Sequence, residues 1–232
     1  MEYRIESWDK VDGEIDISRI EPSHTDFEEW VEIKRLLHFD LGLQLPLYIR
    51  KRERPDFELL EIGGTRQIGI EHTWAAHEGW EQSDEYLLNT KNPEFGSVSR
   101  NWLEGEQARG KKLGRRIMAQ QGRSPIWGAR EQADAKAGEV KRAIKNKLEA
   151  LSKEGFETYP ENWLFISDRL PFLFLDLDCF WENLIVDKLL SEPGYSRVLF
   201  LTQVREYKRN VNMYVLFELS ANGLSLVDGH AQ

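Results

Sequence analysis

The chain has 232 residues, 41 % hydrophobic and 11 % aromatic, which is enough to bury a substantial core in one domain. It contains no apolar run near the roughly 20 residues of a membrane helix, and its first residues lack the basic-then-apolar pattern of a secretory signal. The single Cys179 excludes an intramolecular disulfide and paired-thiolate zinc sites, and a net charge of −9 argues against a protein that coats nucleic acid over its whole surface. The expected setting is cytoplasmic, with no membrane partner.

In chain order, residues 3 to 20 alternate weakly around Asp12-Gly13 and predict a short hairpin or an extended arm. From Ser23 to Leu41 the spacing becomes helical: Phe27, Trp30, Val31, Ile33, Leu36 and Leu37 form the apolar face, and Asp26, Glu28 and Glu29 occupy the first turn. Phe57 to Ile62 and Gln67 to Trp74 alternate as strands across Gly63-Gly64, a hairpin that brings Asp56 and Glu71 to the same side. Two carboxylates at a strand end form an oxygen donor set suited to Mg²⁺ or Mn²⁺, ions that bind through one or two carboxylates plus a substrate phosphate. The chemistry this suggests is phosphodiester hydrolysis.

Residues 75 to 135 carry no convincing strand pattern and predict an insertion with helices of its own. Between Arg100 and Lys147, thirteen Lys or Arg stand against five Asp or Glu. Within that region Arg109, Lys111, Lys112, Arg115, Arg116, Arg123 and Arg130 occur with no acid among them, a pattern that suits a phosphate backbone. Trp102 and Trp127 are either stacking platforms for bases or the insertion's own small core.

Ala135 to Glu154 reads as a second long helix with Val140, Ile144, Leu148 and Leu151 in one stripe. At about 100° per residue, Lys147 falls about 20° from Val140, inside the apolar stripe. Its ammonium then needs either a path to water along the stem or an anionic partner at the sheet. Asn162 to Ser167 predicts a buried central strand, Phe180 to Leu190 a helix, and Arg197 to Val204 and Asn212 to Leu219 two further strands, with the last dozen residues frayed. Asp168, Asp176 and Asp178 follow the central strand as a second acidic group, but Asp176-Leu177-Asp178 before an apolar segment reads more readily as a helix start than as metal ligands. The five histidines show no recognisable ligand spacing. The fold class expected from these elements is an α/β sandwich with a mixed sheet.

Pro55-Asp56 on one strand, followed by Glu71-His72-Thr73 on the next, resembles the PD-(D/E)XK nuclease superfamily. In that pattern Pro-Asp is followed on the next strand by an acid, any residue and a lysine. Asp56 and Glu71 match, and Thr73 stands where the lysine is expected. The resemblance covers the hairpin specifically and residues 24 to 205 loosely, in the order helix, strands, helix, strand.

It implies a restriction-endonuclease-like sandwich as a single domain over 1–232, with the basic insertion at 75–135. It also implies Mg²⁺ or Mn²⁺ held by Asp56 and Glu71, and a further acid from the preceding helix, Glu29 or Glu32. In members lacking the strand lysine, a helix lysine can replace it, which points to Lys147; Thr73 would hold a water or touch the phosphate. The activity implied is metal-dependent nuclease action on nucleic acid, DNA ahead of RNA, with a homodimer left open. Two rivals stand beside it: a catalytically silent nuclease-fold module that binds nucleic acid or protein, and an acidic inhibitor or immunity-type partner of a basic protein.

Overall fold

A computed structural model describes residues 1–18, 20, 25–63, 66–76, 129–151, 156–168, 177–185, 189–191, 194–206 and 211–229. Its strands form one eight-stranded mixed sheet in sequential order, β1 to β8, with helices on both faces. The expectation of an α/β fold with a mixed, helix-flanked sheet is met at that level. Most of the expected insertion, residues 77–128, lies outside the described residues.

The first four strands form an antiparallel meander. β1 (Glu2–Ile5) pairs with β2 (Leu47–Lys51), β2 with β3 (Phe57–Glu61), and β3 with β4 (Gln67–Ala75). The N-terminal hairpin expected from the weak alternation does not form. Instead the chain leaves β1 through a 3₁₀ turn, Trp8–Lys10, and a single helical turn, α1 (Val11–Glu14), whose Val11 enters the core. Ile5 finds its partner 42 residues along the chain, at Leu47. A long-range pairing of this kind leaves no local sequence signal. The β3–β4 turn is where the glycines place it, and Gly63 adopts φ +80°, which side chains with a Cβ rarely tolerate.

From β4 the sheet becomes parallel. The chain crosses through α3 (Ala129–Leu151) to β5 (Glu161–Asp168), then through α4 (Leu177–Ile185) and a 3₁₀ turn (Leu189–Ser191) to β6 (Arg197–Glu206). β7 (Val211–Ser220) and β8 (Gly223–Val227) return antiparallel. β8 corrects the expectation of a frayed end: Leu224, Leu226 and Val227 pair with Leu219, Phe217 and Leu216. α3 also starts earlier than its apolar stripe suggests, because Ala133 and Ala137 extend that stripe toward the N-terminus with small side chains that carry little hydrophobic signal.

Period-two alternation sorts the side chains into two cores. On one face α2 (Thr25–Leu36) lays Trp30, Ile33 and Leu36 on Phe57, Ile70, Trp163 and Leu199. Trp30 meets the Phe57 ring edge-on at 4.9 Å and the Tyr3 ring at 5.0 Å. On the other face α3 and α4 bury Ala137, Val140, Ile144, Phe180 and Leu184 against Leu164, Ile166 and Phe200. β4 and β5 are buried on both faces, as parallel strands between helical layers must be.

Gly69 marks a close approach on β4. A Cβ there would meet Tyr159 Cδ2 at 2.7 Å and Pro55 Cγ at 2.8 Å. Gly69→Ala is therefore expected to destabilise the protein by about 1–3 kcal/mol through overpacking. A chemical-denaturation midpoint equal to that of the parent would overturn this account.

Candidate functional site

The β3–β4 register pairs Phe57 with Ile70, which sets Asp56 opposite Glu71 where β3 begins. The Asp56 carboxylate is held by the backbone: His72 N donates to Oδ2 at 2.8 Å. Glu71 points from the same strand toward α3, and Lys147 Nζ donates to its Oε1 at 2.5 Å. Lys147 therefore has an anionic partner, while its side chain retains 24 % exposure against 8 % for that of Glu71. Thr73, two residues further along β4, shares the Glu71 side of the sheet and is half-buried.

The two helix acids separate. Glu29 joins the site through Lys51, whose ammonium pairs with Glu29 Oε2 and lies 3.8 Å from Asp56 Oδ1. Glu32, also on α2, does not join it: it pairs with Arg35 and accepts a hydrogen bond at 2.9 Å from the Ser167 hydroxyl. Ser167 Oγ is in turn 3.1 Å from His72 Nε2. Position 72 thus has two roles, with its amide on Asp56 and its ring nitrogen on Ser167.

Burial raises two of these acids, Glu71 and Glu29. Burial pushes the Glu71 carboxyl above its ordinary range and the neighbouring Asp56 charge adds to this, while Lys147 and Lys51 pull it back. Glu29 is likewise raised by burial first, with Lys51 lowering it and Asp56 raising it. Tyr195, just ahead of β6, donates from its hydroxyl to the Lys147 carbonyl at 3.4 Å. Its phenol is pushed up by burial and then by the charges of Glu71 and Asp56.

The atom that defines the site is Glu71 Oε2, which is buried and has no hydrogen-bond partner among the described residues. A buried acceptor in that state costs on the order of 1–3 kcal/mol. Its neighbours include a second carboxylate, so the donor chemistry fits a hard cation taking one oxygen from each of Asp56 and Glu71. No group of three Asp, Glu, His or Cys arranged to hold a metal occurs among the described residues.

Of the expected basic contacts, Arg109, Lys111, Lys112, Arg115, Arg116 and Arg123 lie outside the described residues. Arg130 is described and exposed. It sits 17 residues before Lys147 on α3, about 25 Å along the axis, and is not part of the acid pair's surroundings. Asp168 does not join an acidic cluster: it accepts from the fully buried Lys136 ammonium and, at 2.5 Å, from the Thr202 hydroxyl. Asp176 lies outside the described residues.

Sequence reasoning missed Lys51, Tyr195 and Lys136. Lys51 ends an alternating Leu-Tyr-Ile-Arg-Lys segment that reads as a strand once its β1 partner is known. Lys136 lies four residues before Val140, on the same apolar stripe that revealed Lys147. Tyr195 left no signal, because its place depends on a parallel crossover.

No protein-family model, no curated protein and no solved structure matches this chain.

The raised Glu71 carboxyl sets a pH dependence. Since the folded-state value lies above the unfolded one, burying the group costs nothing below the unfolded pKa. The cost then grows as pH rises through the raised folded value. Glu71→Gln should therefore raise Tm at neutral pH, with the gain shrinking to nothing on acidification below the ordinary carboxylate range. A pH series of thermal melts in which the difference is constant would contradict this.

Proposed function

We propose that this chain is a metal-dependent phosphodiesterase acting on nucleic acid, DNA ahead of RNA. The observation that carries the reading is the Asp56–Glu71 pair, opposed on adjacent strands, with the Glu71 Oε2 acceptor left open and Lys147 from the facing helix on Oε1. The order helix, three-stranded meander, helix, strand supports the resemblance to the PD-(D/E)XK nucleases. Glu29 is the helix acid that suits this reading, because Lys51 ties it to Asp56.

Asp56 and Glu71 would hold Mg²⁺ or Mn²⁺, which when bound polarises the scissile phosphate and lowers the pKa of a coordinated water. The chain's own groups supply the rest. The His72 amide fixes the Asp56 oxygen in place, so the acid pair is preorganised at no further cost during reaction. Lys147 orients Glu71 and stands ready to neutralise charge developing on a phosphate oxygen, as the strand lysine would from position 73. Lys51 offsets the repulsion between Glu29 and Asp56.

A second reading has its own support. Thr73 in place of lysine, and an ammonium already seated on Glu71, suit a domain that binds without cleaving.

Cleavage of supercoiled, linear and single-stranded DNA in Mg²⁺, Mn²⁺ or EDTA separates the two. Activity should vanish in EDTA and in Asp56→Asn and Glu71→Gln, and fall about 10²–10⁴-fold in Lys147→Met. Full activity in both acid variants would remove the site. Salt-sensitive DNA binding with no cleavage under any condition would establish the silent module.

A further inference from the structure

A cleft of about 340 Å³ opens on the face of the sheet opposite Glu71 and Lys147, between α2 and the carboxyl ends of the parallel strands β4, β5 and β6. Crevices beyond the carboxyl ends of parallel strands are where open α/β sheets place ligands, and this volume falls in the small-molecule range. Neither the acid pair nor its lysines take part in it.

Its walls come from different elements and share one chemistry. Phe27 on α2, Trp74 on β4 and Tyr214 on β7 supply aromatic surface. The Arg35 guanidinium lies 4.6 Å from the Tyr214 ring centroid and pairs with Glu32, which the Ser167 hydroxyl holds in turn. Glu32 is 5 % exposed, so this side of the cleft is rigidly built. Glu28 adds a carboxylate acceptor and Gln203 an amide that both donates and accepts.

Flat aromatic surface flanked by a guanidinium, an amide and carboxylates matches the hydrogen-bonding edges and the ring faces of a nucleobase. The same carboxylates disfavour a phosphate dianion. The Arg35 charge in the same wall disfavours an organic cation. From this juxtaposition we propose that the cleft binds the base of a nucleoside, leaving any phosphate outside. The proposal stands apart from the phosphodiesterase reading, because none of Asp56, Glu71, Lys147, Glu29 and Lys51 lines the cleft.

Calorimetric titration of the full chain with adenosine, guanosine, cytidine and thymidine tests it. At least one should bind saturably with a Kd below about 1 mM, and its 5′-monophosphate should bind no tighter. Tyr214→Ala and Gln203→Ala, both at partly exposed positions that leave the core intact, should each weaken binding by about tenfold. Glu71→Gln should leave it unchanged. A DNA oligonucleotide carrying an unpaired base, compared with its abasic counterpart, distinguishes a base presented on a strand from a free nucleoside. The proposal is overturned if no nucleoside saturates, if spermidine displaces the bound nucleoside at equal concentration, or if both cleft variants bind as the parent does. Nucleoside binding by a parent chain that cleaves no DNA under any condition would count against the phosphodiesterase reading alone.

Discussion

The register of β3 against β4 is the constraint on which the remaining structure depends. Phe57 opposite Ile70 sends both side chains into the core under Trp30, and by alternation turns Glu58, Gly69 and Glu71 to the other face. A slip of one residue would put the aromatic ring under α3 and the carboxylates under α2. Apolar burial of their chain neighbours Phe57 and Ile70 against α2 therefore positions the acid pair. The site is accurate because the hydrophobic side of the hairpin has one low-energy arrangement.

Two lysines of α3 reach carboxylates of the sheet, and the contrast between them separates a structural pair from a site. Lys136 and Asp168 are each 1 % exposed in their side chains, and Thr202 donates to the same carboxylate. That pair is closed, and breaking it would leave a buried charge uncompensated. Lys147 and Glu71 make the same kind of contact nearer the helix's other end, but there the lysine reaches solvent and one carboxylate oxygen stays unmatched. Stability alone would favour the closed arrangement at both places. An imperfectly satisfied acid retained beside a second acid is the pattern expected where function is held at the expense of stability.

Much of this was legible in local patterns and some was not, for a physical reason in each case. The hairpin could be read because alternation and a glycine turn are local, and Lys147 because a charged residue on an apolar helical stripe breaks a short-range rule. The choice between Glu29 and Glu32 could not be made, since three residues on a helix separate them by less than a turn and the sheet edge decides which reaches Asp56. β1 left no signal because its pairing lies 42 or more residues away, and Lys51 because its meeting with Glu29 depends on how α2 packs on the sheet. β8 escapes a local reading, since five residues with a glycine at the start and three apolar side chains offer too short a pattern to stand alone.

His72 carries an asymmetry with consequences for how such a chain can diverge. What it gives Asp56 comes from its main-chain N–H, which every amino acid except proline possesses. What it gives Ser167 comes from its imidazole Nε2, which only the side chain supplies. The contact with Ser167 can therefore be exchanged while the hydrogen bond that holds Asp56 stays in place.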